Sequence, residues 1–305
     1  MTAIFSSNLA RRLLTAAGLA AILNCGVMAQ TGATASRDAH PPKVLAHRGG
    51  ALLRPENTLP AFRHAVEIGT DIIEFDMQMT ADNQIVVHHD TAINPAFCTP
   101  DIGTEVKADD VHRLSLAGTQ RFDCGRVARP SYAGPKFVAV PGAHIPTLGD
   151  MLRTMRDADV DFFAETKIAK GSDVDPVRFA TLVEAAIREN GLEDRLILQS
   201  FDYRTIDALH RINPRIRTCL LGAQKLTSDY RAILREHRAS CIVLKRSDVD
   251  AQGVARLQAD GILVYSDVVD TAEEWRSYAD LGFDAIFTND PQGAIDFLRP
   301  SARRP

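Results

Sequence analysis

Short apolar runs rich in Val, Ile and Leu recur along this chain, and all but one of them lead directly into an amphipathic stretch. This alternation is typical of parallel β-strands joined by crossover helices. Eight such runs fit an α/β TIM barrel, the (β/α)8 fold, which fills roughly 250 residues with one domain. An open doubly wound sheet is the alternative, but no Gly-x-Gly-x-x-Gly pattern follows the first run. The eight runs are Val44 to His47, Ile72 to Asp76, Phe162 to Thr166, Leu196 to Ser200, Ile216 to Leu221, Cys241 to Leu244, Ile262 to Tyr265 and Ala285 to Thr288.

One connection is too long for an ordinary loop between a strand and a helix. About 55 residues separate the second run from a helix expected to begin near Thr147, whereas such loops usually have roughly two to six residues. The stretch contains a short alternating run, Gln84 to His88, and many prolines and glycines. Apolar residues such as Val111 and Leu114 give it something to bury. We therefore expect an insertion after the second strand, at about residues 91–146, that forms a small subdomain over the barrel mouth.

The first 29 residues have the pattern of a secretory signal peptide. Arg11 and Arg12 form a positive segment, and Leu13 to Leu23 is an apolar stretch too short to span a bilayer. Val27-Met28-Ala29 supplies the small residues of a cleavage site. We expect cleavage after Ala29 and a periplasmic or secreted protein.

Lipid attachment at Cys25 is the alternative, although Asn24 stands where a small residue is expected before such a cysteine. Cleavage would leave a flexible leader at 30–41, the barrel at 42–300 and a tail at 301–305. The formal charge would change from −4 to −6, because the removed segment carries two arginines and no acids. An acidic chain gives no electrostatic reason to expect nucleic acid, and no run of the mature chain is long enough to be a membrane span.

The four cysteines of the mature chain fall into two kinds of sequence. Cys98 and Cys124 lie in polar, turn-rich segments, and export to an oxidising compartment makes a disulfide between them permissible. Cys219 and Cys241 lie in apolar runs, so we expect them to be inert core thiols. The spacing of the four does not match a Cys-x-x-Cys zinc motif.

Acidic residues stand at the ends of the second and third strand runs. Glu74 and Asp76 are two positions apart on one run, so both point to the same face, and Glu165 closes the next run. In a parallel barrel the strand ends meet at the face that carries function. Carboxylates brought together there repel one another and need a cation or protons. The sequence therefore predicts an oxygen-rich site for Mg²⁺ or Ca²⁺ rather than a zinc site.

Basic residues accompany these acids. His47 and His89 suit proton transfer, because imidazole titrates near neutral pH. Arg48 and Lys167 supply fixed positive charge, which indicates a pocket for an anionic, phosphorylated group. His88 precedes His89 in an alternating run, faces the opposite way and is interpreted as structural. Hydrolysis of a nucleoside triphosphate is disfavoured, since the chain has no Walker glycine loop.

These residues belong to short motifs that follow one another in a fixed order. They are His47-Arg48-Gly49, Arg54-Pro55-Glu56-Asn57-Thr58, Ile73-Glu74-Phe75-Asp76, Val87-His88-His89-Asp90, Ile145-Pro146-Thr147-Leu148, Glu165-Thr166-Lys167, Gln199-Ser200-Phe201-Asp202 and the segment from Gly282 to Pro291. In order and spacing the chain resembles the glycerophosphodiester phosphodiesterase family, whose signature is His-Arg, then Glu-x-Asp, then His-Asp. The resemblance covers almost the whole mature chain.

The resemblance implies a TIM barrel with an insertion after the second strand. It also implies hydrolysis of small-molecule glycerophosphodiesters to sn-glycerol 3-phosphate and an alcohol. By position, the three carboxylates would bind one divalent cation, the two histidines would act as general acid and base, and Arg48 and Lys167 would hold phosphate oxygens. Which histidine is the acid stays open, as does attack by water or by the glycerol 2-hydroxyl through a cyclic phosphate.

The chain departs from the family pattern at two places. Thr91-Ala92-Ile93-Asn94-Pro95 replaces a Thr-Leu-Asp-Arg-like run, and Tyr265-Ser266-Asp267-Val268 replaces a Trp-Thr-Val-Asn pattern. The insertion and one wall of the pocket should therefore differ, and the head group is not predicted. Two alternatives remain. One is a phospholipase D that cleaves lysophospholipids or sphingomyelin through a cyclic phosphate, and the other is a non-catalytic protein that binds glycerophosphodiesters.

Overall fold

The computed structural model describes residues 41–103 and 109–300 of the protein. The expected signal peptide, nearly all of the leader and the tail lie outside the described residues. Among the helices that are described, none combines the length and the apolar character needed to cross a membrane.

Eight parallel strands close into a barrel, as the sequence predicts. In chain order the described strands are β1 (Lys43–Ala46), β2 (Ile72–Met79), β3 (Ile85–Val87), β4 (Thr99–Pro100), β5 (Phe122–Asp123), β6 (Asp161–Thr166), β7 (Leu196–Ser200), β8 (Arg217–Leu220), β9 (Cys241–Leu244), β10 (Leu263–Val268) and β11 (Ala285–Thr288). The barrel runs in the order β1, β2, β6, β7, β8, β9, β10, β11, and β11 pairs with β1 to close it. Each of the eight predicted apolar runs overlaps one barrel strand.

Helices connect the strands and, apart from one short helix within the insertion, pack around the barrel. They are α1 (Leu59–Glu67), α2 (Leu116–Thr119), α3 (Leu148–Met155), α4 (Pro176–Glu189), α5 (Tyr203–Ile212), α6 (Tyr230–Glu236), α7 (Ala251–Ala259), α8 (Ala272–Asp280) and α9 (Pro291–Leu298). Short polar side chains accept hydrogen bonds at their first turns, as Thr58 and Thr147 do at α1 and α3. The helix expected near Thr147 is therefore confirmed.

Strand β2 shows how the barrel divides apolar from polar side chains. Successive residues of a strand point to opposite faces, and Ile73 and Phe75 pack in the apolar layer between the strands and the helices. Ile72 lies on the opposite face, in an apolar layer that fills the barrel interior. Glu74 and Asp76 follow it on the same face, nearer the carboxyl end of the strand. The apolar side chains inside the barrel therefore lie below the polar side chains at the carboxyl ends of the strands.

The insertion after β3 has a small core of its own. Strands β4 and β5 pair antiparallel, and the buried side chains around them include Phe97, Val111 and Phe122. A disulfide joins Cys98 to Cys124 inside this cluster, which confirms the pairing expected from the sequence. The insertion is thus a folded subdomain in the part that the structure describes.

The prediction of inert thiols at Cys219 and Cys241 is wrong, because a second disulfide joins these two residues. They are direct neighbours in the register of β8 and β9, and both belong to the apolar layer of the barrel interior. Their Cα atoms are 4.3 Å apart, close enough for the bond. The pairing depends on how two separate strands align, which apolar character alone does not reveal.

We expect the double variant Cys219→Ala/Cys241→Ala to have a free energy of unfolding about 3 kcal/mol lower than the oxidised wild type. A bond between residues 22 positions apart removes many conformations from the unfolded chain. Urea unfolding followed by circular dichroism measures the difference. The variant Cys98→Ala/Cys124→Ala is the matched control for the other disulfide. If a reductant left the unfolding midpoint of this control unchanged, the bond between Cys219 and Cys241 would be contradicted.

Candidate active site

Two neighbouring strands bring the three predicted carboxylates together at the barrel mouth. Glu74 and Asp76 lie on β2, and Glu165 lies opposite Asp76 in the parallel register of β6. One oxygen atom of each carboxylate lies within 4.8 Å of the others, and all three side chains are buried. The structure thus confirms that these residues form a cluster that could hold a metal ion.

The electrostatics of the cluster call for additional positive charge. Burial raises the pKa of Glu74, and repulsion by Asp76 and Glu165 raises it further. Burial also raises the pKa of Glu165. Burial opposes the ionisation of Asp76 too, but Lys167 and Arg48 outweigh it and hold its pKa below the usual range. Three buried acids therefore face two fixed cations, and a divalent ion would let all three ionise together.

The donor set fits a hard cation. Asp76 Oδ1 and Glu165 Oε1 are buried, and their close partner among the described residues is the Lys167 ammonium group, at 3.2 and 2.6 Å. Lone pairs on these oxygens thus remain for a further ligand. Oxygen donors of this kind are those that Mg²⁺ and Ca²⁺ prefer.

Polar neighbours hold the carboxylates in place. The backbone N–H of Arg48 donates to Glu74 Oε2 over 2.8 Å, and Gln199 Nε2 donates to Glu74 Oε1 over 3.2 Å. Asn57 Nδ2 donates to Asp76 Oδ2 over 2.9 Å.

The backbone turn at Arg48 aims one of these donors. Arg48 has a φ of 52°, in the left-handed region, and this turn directs its N–H toward Glu74. A side chain at Gly49 would lie 2.9 Å from Ala61, so the turn also needs this glycine.

His47 is held in one tautomer. Asn289 Nδ2 donates to Asp270, which turns Asn289 Oδ1 toward His47 Nδ1 at 2.8 Å. The hydrogen of His47 is therefore on Nδ1, and Nε2, 4.0 Å from Glu74 Oε2, carries a lone pair. Burial lowers the pKa of His47 to about 3, and the neighbouring Arg48 charge acts in the same direction. The imidazole is thus neutral at pH 7, and its Nε2 lone pair lies on the side of Glu74.

His89 has a carboxylate as its partner. Its Nδ1 lies 2.7 Å from Asp90 Oδ1, and Gln78 donates to its backbone carbonyl group. Burial opposes the ionisation of Asp90, but its hydrogen bond with His89 and the charge of Arg129 hold its pKa below the usual range. The ionised Asp90 accepts the Nδ1 hydrogen, so Nε2 of His89 is the atom left for chemistry.

Arg48 and Lys167 stay charged beside the carboxylates. Burial disfavours the charge on each, but Asp76 outweighs it and raises the pKa of both. Lys167 contacts Asp76 and Glu165, while Arg48 lies 3.1 Å from Glu56 Oε1. The structure therefore places both predicted cations at the site, where an anionic group would meet fixed positive charge.

The residues that orient the site were missed by the sequence interpretation. Glu56, Asn57, Gln199 and Asn289 all lie within the quoted motifs, so their position in those motifs was an available signal. Arg129 comes from the insertion, and it contacts Glu56 and Asp90. The sequence offers no local pattern that would have found it.

Comparisons with known proteins agree with the fold and indicate a family. A family model described as "Glycerophosphoryl diester phosphodiesterase family" matches residues 47–293. A relative named glycerophosphodiester phosphodiesterase, from Caldanaerobacter subterraneus subsp. tengcongensis, is 28% identical over 256 residues, which cover 84% of this chain and 97% of the relative. A human relative named lysophospholipase D GDPD1 is 52% identical over 74 residues, which cover 24% of this chain and 22% of the relative.

Solved structures share the architecture. An Oleispira antarctica phosphodiesterase in complex with the product sn-glycerol-3-phosphate aligns with a TM-score of 0.70 and 22% identity, covering 84% of this chain and 97% of that chain. A glycerophosphodiester phosphodiesterase from Agrobacterium tumefaciens aligns with a TM-score of 0.64 and 22% identity, covering 82% of this chain and 98% of that chain. At this identity the likeness shows a common fold.

Proposed function

Because the chain belongs to the glycerophosphoryl diester phosphodiesterase family, we propose that it hydrolyses glycerophosphodiesters to sn-glycerol 3-phosphate and an alcohol at the barrel mouth. One observation carries the proposal to this chain's own residues. Three buried carboxylates converge within 4.8 Å of one another, beside two histidines and two fixed cations. This set supplies what hydrolysis of a phosphodiester requires, namely a cation site, proton transfer and a place for phosphate oxygens.

The proposed cofactor is one divalent cation, Ca²⁺ or Mg²⁺. Glu74, Asp76 and Glu165 would hold it, since their buried oxygens form the acidic cluster. Bound there, the ion would polarise the phosphoryl group and stabilise the negative charge that develops on it. Arg48 and Lys167 would bind the remaining phosphate oxygens, because both stay charged at the same mouth.

The two histidines are proposed to move the protons. His47 Nε2 takes the proton of the attacking hydroxyl group, because its tautomer leaves a lone pair there and its imidazole is neutral. His89 Nε2 then gives a proton to the oxygen of the departing alcohol, while Asp90 accepts the hydrogen bond from His89 Nδ1. General acid and base groups of this kind contribute roughly 10²- to 10⁴-fold each. The same roles apply whether water or the glycerol 2-hydroxyl attacks.

A panel of head groups tests the reaction. We expect the protein, supplied with Ca²⁺ or with Mg²⁺, to release sn-glycerol 3-phosphate from at least one of glycerophosphocholine, glycerophosphoethanolamine and glycerophosphoglycerol. Oxidation of the product by glycerol 3-phosphate dehydrogenase gives the rate. Calorimetry on the same samples is the companion measurement. Tight binding of these diesters without turnover, in the presence of both metals, would instead identify a binding protein.

A second candidate is lysophospholipase D activity on lysophospholipids or sphingomyelin. Two observations favour it: the 74-residue match to the human relative of that name, and Phe201, which follows β7 at the barrel rim with 60% of its surface exposed. An apolar rim residue could contact an acyl chain. Phosphorus NMR of lysophosphatidylcholine turnover separates the candidates, since the phospholipase D-type enzyme should release a cyclic phosphate as an accumulating product, whereas the hydrolase should end at sn-glycerol 3-phosphate with its own diester substrate.

Export is proposed from the amino-terminal pattern, with cleavage after Ala29 and a periplasmic or secreted product. The two disulfides support this location, because such bonds persist in oxidising compartments. Amino-terminal sequencing of the exported protein tests it. The proposal expects the mature chain to begin at Gln30, and an intact Met1 on the exported protein would contradict it.

A further inference from the structure

A single side chain of the insertion links the two halves of the site. Arg129 Nε donates to Glu56 Oε2 over 2.8 Å, and Arg129 Nη2 donates to Glu56 Oε1 over 2.7 Å. The same Nη2 lies 3.0 Å from Asp90 Oδ2. The Arg129 side chain is 16% exposed, so these contacts are shielded from water and are worth more than ordinary surface pairs.

Each carboxylate that Arg129 holds also holds a residue of the proposed machinery. Glu56 Oε1 accepts from Arg48 Nη1 over 3.1 Å, and Asp90 Oδ1 lies 2.7 Å from His89 Nδ1. Arg129 therefore stands at the middle of a continuous chain from Arg48 through Glu56 and Asp90 to His89. Without the charge of Arg129, two partly buried carboxylates would lose their shared cation. They would also lose the hydrogen bonds that fix their present orientation.

Packing and a disulfide within the insertion hold the segment that carries Arg129 in place. Its guanidinium group lies over the Phe97 ring, 4.3 Å from the ring centroid. Phe97 precedes Cys98, whose disulfide to Cys124 fixes the chain five residues before Arg129. At Gly125 the backbone passes so close to Val140 that a side chain would lie 1.8 Å from the Val140 carbonyl oxygen. The segment is therefore anchored immediately before Arg129.

We propose that Arg129 is a positioning residue for the hydrolytic reaction. It orients His89 through Asp90 and Arg48 through Glu56. The insertion thereby contributes a residue that the active site needs in addition to those of the barrel. This inference rests on the proposed function. A merely structural role, in which Arg129 only fastens the insertion to the barrel, predicts lower stability without a selective effect on turnover.

Three variants separate the two roles. In Arg129→Gln we expect kcat to fall about 10- to 100-fold, the usual loss for a partner that orients a functional group, with a smaller change in KM and unchanged metal affinity. In Arg129→Lys we expect part of kcat to return, since one ammonium can pair with a carboxylate but cannot fork between two. Arg126→Gln is the matched control, because Arg126 pairs with Asp123 inside the same insertion; it should keep the wild-type kcat.

A double variant shows whether Arg129 acts through His89. In a His89→Gln background, Arg129→Gln should cost much less than in the wild type, because the group that it orients is gone. The Nδ1 proton resonance of His89 gives a readout without turnover: it should shift in Arg129→Gln and stay in place in Arg126→Gln.

The outcomes are distinct. If the wild type is active and Arg129→Gln keeps the wild-type kcat, the positioning role is overturned while the proposed function stands. Equal losses in Arg129→Gln and Arg126→Gln would overturn the positioning role as well, and full additivity with His89→Gln would overturn its action through His89. A wild type that releases no glycerol 3-phosphate with either metal would overturn the proposed function, and this role with it.

Discussion

Glu74→Gln is expected to lower the release of glycerol 3-phosphate by at least about 10³-fold, equivalent to roughly 4 kcal/mol of transition-state stabilisation. Glutamine has nearly the same shape: its oxygen can accept from the Arg48 N–H, and its NH2 group can donate to Gln199 once the Gln199 amide turns its oxygen toward position 74. What it lacks is the negative charge that a divalent cation requires. Calorimetry with Ca²⁺ and Mg²⁺ should show weakened metal binding in parallel with the lost activity.

The same substitution should not unfold the protein. Burial and the neighbouring acids raise the pKa of Glu74, so its ionised form is destabilising in the metal-free fold at neutral pH. Glu74→Gln should then melt at the wild-type temperature or above it when metal is absent. Asp161→Asn is the matched control, since Asp161 pairs with Lys43 at the other end of β6 and should leave activity unchanged. Wild-type turnover in Glu74→Gln would contradict the metal assignment.

His47→Gln is expected to lower kcat by about 10²- to 10⁴-fold, the range for loss of a general base. Burial lowers the pKa of His47 to about 3, and the Asn289 contact leaves Nε2 free to accept. Glutamine offers no comparable base at that position. Steady-state kinetics at saturating metal give the loss in kcat.

Metal affinity distinguishes this variant from the carboxylate variant. His47 is not among the three residues that form the acidic cluster, so His47→Gln should bind Ca²⁺ or Mg²⁺ as the wild type does. His210→Gln is the control, because His210 contacts Thr218 on the outside of the barrel wall. A kcat within threefold of wild type, or a loss explained wholly by weaker metal binding, would remove His47 from the proton-transfer role.

The fold and the centre of the site could be predicted because both depend on local periodicity. Eight short apolar runs identify the strands, and the period of two along β2 places Glu74 and Asp76 on one face. Parallel pairing then brings the carboxyl end of β6, with Glu165, to the same edge. Each of these steps needs the order of residues along one strand and a general rule of barrel topology.

The surroundings of the site could not be predicted because they depend on contacts between distant segments. Arg129 reaches Glu56 across 73 positions, and the course of the insertion decides whether it does. Asp270 reaches His47 through Asn289. The bond between Cys219 and Cys241 required the register of two strands, which the apolar character of each strand does not specify. Periodicity identifies elements, whereas pairing between elements is set by tertiary packing.

Phosphorus NMR of glycerophosphocholine incubated with the metal-loaded protein tests metal-dependent hydrolysis at the barrel mouth most directly. We expect the diester resonance to be replaced by that of sn-glycerol 3-phosphate, the conversion to stop when a chelator is added, and an excess of Ca²⁺ or Mg²⁺ to restart it. A diester resonance that stays unchanged with either metal, or conversion that continues in the chelator, would contradict the central claim.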